Sequence, residues 1–165
     1  MQSRPMRLIA VAPVVILAAG GAVISATTQD RGVERGRYLS IVGGCNDCHT
    51  AGYRESSGDI PEDLWLTGST VGFQGPWGTT YPPNLRLVAA SMSEAQWLTH
   101  VRAARRPPMP WFNLRAMSNA DLSAIYAYLR SLGAAGTPTP DYVPPGEHVA
   151  TPYIDFVPKN LPRAG

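Results

Sequence analysis

The residues best equipped for chemistry crowd into one short stretch, "GGCNDCHTAG" at positions 43–52, which holds both cysteines of the chain. Cys45 and Cys48 are three positions apart, and His49 follows the second directly. Two thiols and an imidazole at this spacing suit four kinds of site: a disulfide, a zinc site, a thioredoxin-like redox pair, or a covalently held haem. Structural zinc takes four ligands, and beyond the motif the chain adds only His100 and His148, neither at finger spacing. A thioredoxin-like pair belongs at a strand-to-helix junction in a parallel-sheet pattern, and no strand–helix alternation is visible. A disulfide across two intervening residues closes a tiny loop and stabilises little. Cys-x-x-Cys-His is the spacing of c-type haem attachment: two thiols add to the two vinyl groups of one porphyrin, and the histidine is carried beneath the iron. One covalent haem c is therefore expected, held by Cys45 and Cys48, with His49 as an axial ligand.

The opposite axial position decides the chemistry. Met92, Met109, Met117, His100 and His148 are the candidates outside the motif. Met109 stands apart because "RRPPMPW" flanks it with Pro108 and Pro110, whose fixed torsions present the thioether with little freedom left to lose. His100 is the rival, and a bis-histidine iron would have a lower potential than a His/Met one. With both positions filled, outer-sphere transfer of one electron is what remains. With the sixth position open, a ligand-sensing role becomes available.

These residues must be held by the rest of the chain. Residues 31–43 read as a short helix leading into the cysteines, with Gly36 allowing close approach of another element. Roughly 50–90 is rich in Gly, Pro, Ser and Thr and reads as loops with at most one short hairpin; Arg86 within it is a candidate to pair with a haem propionate or to face solvent. A second helix follows Ser91 and Glu94, a capping pattern, and stops near Arg106 before Pro107 and Pro108. The third, "SNADLSAIYAYLRSLG", has Ser118 as its cap, Gly133 at its end, and an apolar stripe of Leu122, Ile125, Tyr126, Leu129 and Leu132. Gly36 against Tyr126 or Leu129 is the expected crossing of the first and last helices. The segment after Thr137 is too proline-rich for helix or central strand, yet Tyr153, Ile154, Phe156 and Val157 give it apolar surface to dock.

Residues 1–27 read as an export signal or an N-terminal anchor: Arg4 and Arg7 precede a long run of apolar and small residues. This places the remainder on the periplasmic side, soluble or tethered to the membrane. Without those two arginines, 12 of the 14 bases face 12 acids. The near balance and the absence of a basic stripe exclude nucleic acid as a partner. A local group of Arg102, Arg105, Arg106 and Arg115 suits either a solvated helix end or a docking face for an acidic protein.

From about Gly36 to Leu132 the chain resembles the small helical c-type cytochromes. "GRYLSIVGGCNDCHT" is similar to that family's first helix and haem-binding turn, and "MPWFNLRAMSNADLSAIYAYLRSL" to its methionine loop and final helix. "GPWGTTYPPNL" resembles a stretch in cytochrome subunits of membrane-associated dehydrogenases for alcohols and sugar acids. The resemblance implies an all-α haem domain of three or more helices and long loops, assigned here to 28–135; the extended Pro-rich tail over 136–165 lies outside it. It also implies Met109 as second axial ligand, and Trp77, Tyr81 and Asn84 as residues lining the cleft or bonding the propionates. The implied function is that of a monohaem electron carrier without catalysis of its own, working with a dehydrogenase, an oxidase or another cytochrome. The alternatives are a dedicated electron-transfer subunit of such a complex and a haem-based sensor.

Overall fold

The computed structural model describes residues 17–160, with side chains from residue 29 onward. The expected export signal or anchor at 1–27 lies outside the described residues over positions 1–16, as do the last five residues of the tail. Among the described residues no helix is long and apolar enough to cross a membrane.

The frame is two crossed helices. Helix α1 spans Leu17–Val42 and packs on the helix nearest the end of the chain, Asn119–Leu132. Gly36 is where they meet: a Cβ there would collide with the Ala124 carbonyl and lie 2.8 Å from Tyr128 Cβ. The partners of Gly36 are thus Ala124 and Tyr128, one turn apart, rather than Tyr126 or Leu129. The later helix has two working faces. Ala124 and Tyr128 turn toward α1, while the Leu122 carbonyl accepts from Trp97 Nε1 at 3.0 Å and the Tyr126 hydroxyl donates to the Met92 carbonyl at 2.8 Å. The core joins Leu39, Leu66, Ala89, Trp97, Val101, Leu122, Ile125, Tyr128 and Leu129.

After α1 the chain reverses at Gly43-Gly44, where Gly44 has φ 68°, and starts the short helix α2, Cys45–His49. The left-handed conformation is open to glycine without penalty, so the motif sits directly against the end of α1. A single 3-10 turn at Glu62–Leu64 and three short α-helices follow, α3 (Leu85–Ala90), α4 (Glu94–Val101) and α5 (Trp111–Ala116), before the final helix, α6. Helix α4 is capped by Ser93 and Gln96 in a reciprocal capping box, not by Ser91 and Glu94. It ends at Val101, short of Arg106. There Arg102 turns back to donate to the carbonyls of Arg115 and Met117 and to Asn119 Oδ1. Helix α6 carries its expected signals: Ser118 accepts from the Asp121 amide and Gly133 ends the helix at φ 72°.

Beside the helices lies a small sheet. Strands β1 (Gly72–Gly75) and β2 (Gly78–Thr80) form an antiparallel hairpin with Phe73 opposite Thr80. The tail returns as β3 (Tyr153–Asp155), parallel to β1 at the sheet edge, with Phe73 opposite Ile154. Pro152 immediately precedes that strand, in keeping with proline at strand ends and edges. The proline-rich tail therefore wraps its own domain.

Candidate cofactor cavity

A cavity of about 330 Å³ lies between α2, α4, α5 and α6. Cys45, Cys48 and His49 enter its wall from α2, Met109 and Met117 from either end of α5, and Tyr81 and Pro83 from the segment after β2. Leu85, Val88, Trp97, Val101, Leu122 and Ile125 make much of the remaining surface apolar. The spacing of the motif places its three functional side chains here because one tight helical turn carries all of them.

The cysteines are not joined to each other. Burial, with a smaller push from the Asp47 carboxylate, raises the Cys45 thiol to about 11. Cys48 is also raised, chiefly by burial. Both thiols are protonated at neutral pH. His49 is buried, and that burial holds its imidazole below the usual histidine range, opposed by a backbone hydrogen bond to Pro83. The ring is therefore neutral at pH 7.

The Nδ1 atom of His49 lies 2.8 Å from the Pro83 carbonyl oxygen. A carbonyl only accepts, so Nδ1 carries the proton and Nε2 keeps its lone pair. A histidine orientated by a backbone carbonyl, with its other nitrogen bare, is prepared as a metal ligand. The backbone of the motif is pinned as well: the Gly68 amide donates to the His49 carbonyl at 2.7 Å and the Leu66 amide to Thr50 Oγ1 at 2.8 Å.

Among the described residues no three His, Cys, Asp or Glu side chains converge on one point as a metal cluster. The two sulfurs and the imidazole meet an apolar hollow instead of one another. This donor set would suit a large apolar group bearing its own metal: two thiols would bond the group, and one imidazole nitrogen and one thioether would ligate its metal.

Cys45, Cys48, His49, Met109 and Tyr81 are thus brought to one cavity, and Trp77 and Asn84 are not. Asn84 is buried and its side chain is consumed by the backbone. Its Oδ1 accepts from the Arg86 and Leu87 amides at the start of α3, and its Nδ2 donates to the Ala135 and Thr137 carbonyls. Asn84→Ala should cost about 2–3 kcal/mol, a lost cap plus two lost hydrogen bonds. Asn84→Asp, which keeps the cap, should cost less. Urea unfolding measures both, and a stability equal to the parent's in Asn84→Ala would refute this role. Trp77 folds over Gly75 in the hairpin turn and packs against Phe156. Arg86 is spent on the carbonyls of Asp63, Leu132 and Gly133 and closes the end of α6. His100 reaches the wall from the end of α4, its pKa lowered by partial burial and by Arg105. Sequence reading did not assign Arg105, Arg106, Pro140 and Tyr142 to this wall. The two arginines could have been suspected from their position just before the methionine loop. The tail residues arrive from far along the chain and leave no local signal.

Over an alignment of 111 residues the chain is 30% identical to a subunit of the nicotinate dehydrogenase of Pseudomonas putida. The match takes in 60% of this chain but spans only 8% of that relative's length. The chain is therefore similar to a small part of a dehydrogenase subunit. No family model and no solved structure matches it.

Proposed function

We propose that this protein is a monohaem c-type cytochrome on the periplasmic side of the membrane, passing single electrons to or from a dehydrogenase. One observation carries the reading: Cys45, Cys48, Met109 and a neutral His49 with a bare Nε2 share the wall of one apolar cavity. Cys45 and Cys48 would hold the haem by thioether bonds, with His49 Nε2 and Met109 Sδ as axial ligands. When bound, haem supplies a reversible one-electron iron couple. Pro83 fixes the imidazole against rotation, and Pro108 and Pro110 limit the excursions of Met109. The apolar wall excludes water and lowers the dielectric around the site, one of the protein's levers on potential. With both ligand positions taken by side chains, the protein offers substrates no coordination site, so it carries electrons without catalysis of its own.

Similarity to part of a dehydrogenase subunit favours a dehydrogenase as the electron-exchange partner, either as a separate protein or within one complex. The decisive test is a pyridine haemochrome spectrum of full-length protein from cells competent in haem attachment. One c-type haem per chain is expected, and colourless protein would end this reading.

A further inference from the structure

The cavity wall is not neutral throughout. It contains Arg105 and Arg106 but no Asp or Glu. Among the described residues the ion pairs are Arg35–Asp121, Arg37–Glu62 and Lys159–Asp155, so neither cavity arginine meets a carboxylate. Arg105 donates one Nη to the His100 carbonyl at 2.7 Å. The Arg106 guanidinium lies 3.9 Å from the ring centre of Tyr142. Stacking engages the face of a guanidinium and leaves the N–H groups on its edge available.

Tyr142 belongs to the tail and is firmly placed. Its hydroxyl donates to the Trp77 carbonyl at 2.8 Å, and Val143 exchanges backbone hydrogen bonds with Thr79 at 2.8 and 3.0 Å. Glycine is required opposite it, because a Cβ on Gly78 would lie 2.9 Å from the Tyr142 ring. Trp77, bonded to Tyr142 in this way, also has a buried indole N–H without an acceptor. A hollow that is apolar over most of its wall, with two uncompensated guanidinium groups at the rim, suits an occupant with an apolar body and anionic arms. Planar guanidinium forks match carboxylates bidentately.

We propose that Arg105, Arg106 and the tail residue Tyr142 form the carboxylate-binding end of this cavity and take the propionates of the haem. The assignment rests on the haem reading above. It makes the tail part of the cofactor site: Tyr142 acts through Arg106 as a positioning residue. Cations beside the cofactor favour its reduced form, which carries one more negative charge, so removing one lowers the potential.

The test is redox titration of full-length, haem-loaded protein at pH 8, where His100 is uncharged. Arg106→Gln and Arg105→Gln should each shift the reduction equilibrium about tenfold toward the oxidised form, or about 59 mV for one electron. Tyr142→Leu should shift it in the same direction, and the Arg106→Gln/Tyr142→Leu double variant should fall no further than Arg106→Gln. Arg106→Lys and Tyr142→Phe, which keep the charge and the ring, should stay near the parent. Unchanged potentials in coloured Gln and Leu variants would overturn the proposal and leave the haem reading standing. A fall that comes with loss of the low-spin spectrum would overturn it too, by assigning the arginines to support of the methionine loop. A colourless parent defeats both.

Discussion

Met109→Ala should turn a low-spin protein indifferent to carbon monoxide into one whose reduced form binds it. The potential should drop on the order of 0.1 V, a fraction of the roughly 0.8 V that axial ligands command. The cause would be specific: a thioether is a soft ligand that raises the potential of a His-ligated haem, and a haem held here without Met109 would be open to water or an added ligand. Two other side chains on the same wall, Met117 and His100, serve as internal controls. Met117→Ala and His100→Ala should leave spectrum and potential in place. The methyl carbon of Met117 lies within 4 Å of where a Gly43 Cβ would be. That places it beside the attachment motif as packing. Loss of the low-spin spectrum in His100→Ala, with Met109→Ala unchanged, would reverse the ligand assignment and make the iron bis-histidine.

That Cys45, Cys48 and His49 share one wall was legible because they are neighbours in the chain. Five consecutive residues contain both sulfurs and the imidazole, and one helical turn is enough to bring them to a common wall. Helix α6 was equally readable: Ser118 accepts from the Asp121 amide and the Gly133 amide donates to the Arg130 carbonyl, so the needs of its ends are met within a few residues. "SMSEAQW" shows where local information becomes ambiguous. Ser91 with Glu94 and Ser93 with Gln96 both offer the capping spacing, and the second is used. The apolar spacing of α6 puts Tyr126 in the stripe in place of Tyr128, because a pattern gives spacing but not which of two faces meets which neighbour. Polar residues in the loop proved hardest. Asn84 and Arg86 look like ligands for anionic groups, yet the Asn84 oxygen caps the helix that follows it, and backbone carbonyls that only the folded chain brings near take up the donors of both. Buried polar groups must be satisfied somewhere, and the sequence does not say by whom. The tail was legible only as too apolar for a linker; that it adds a parallel strand to β1 and sends Tyr142 to the cavity depends on contacts some seventy residues apart.

Replacing Gly36 should destabilise the protein more than any other single change in its frame, with the change at Gly32 going the other way. Both glycines lie on α1, four residues apart. A Cβ at Gly32 meets nothing within 4 Å, whereas one at Gly36 drives into the Ala124 carbonyl and Tyr128 Cβ. Alanine at Gly32 therefore gains helix propensity without a clash, worth about 0.5–1 kcal/mol. Alanine at Gly36 makes the same propensity gain but must push two helix backbones apart. Overpacking of a core costs about 1–3 kcal/mol and occasionally more. The colliding atom here is backbone and cannot rotate away, so the cost should lie at or above the top of that range. Against a total stability of about 5–15 kcal/mol, valine at Gly36 should leave little folded protein. Urea unfolding of the haem-loaded chain, followed by tryptophan fluorescence, should give midpoints in the order Gly32→Ala, parent, Gly36→Ala. Separation of α1 from α6 would also loosen α2, because the cysteine motif begins three residues beyond the end of α1. Haem attachment in Gly36→Val should then fall along with stability. Equal midpoints for the two alanine variants would mean that α1 does not cross α6 at Gly36, and the frame that delivers His49 to the cavity would have to be redrawn.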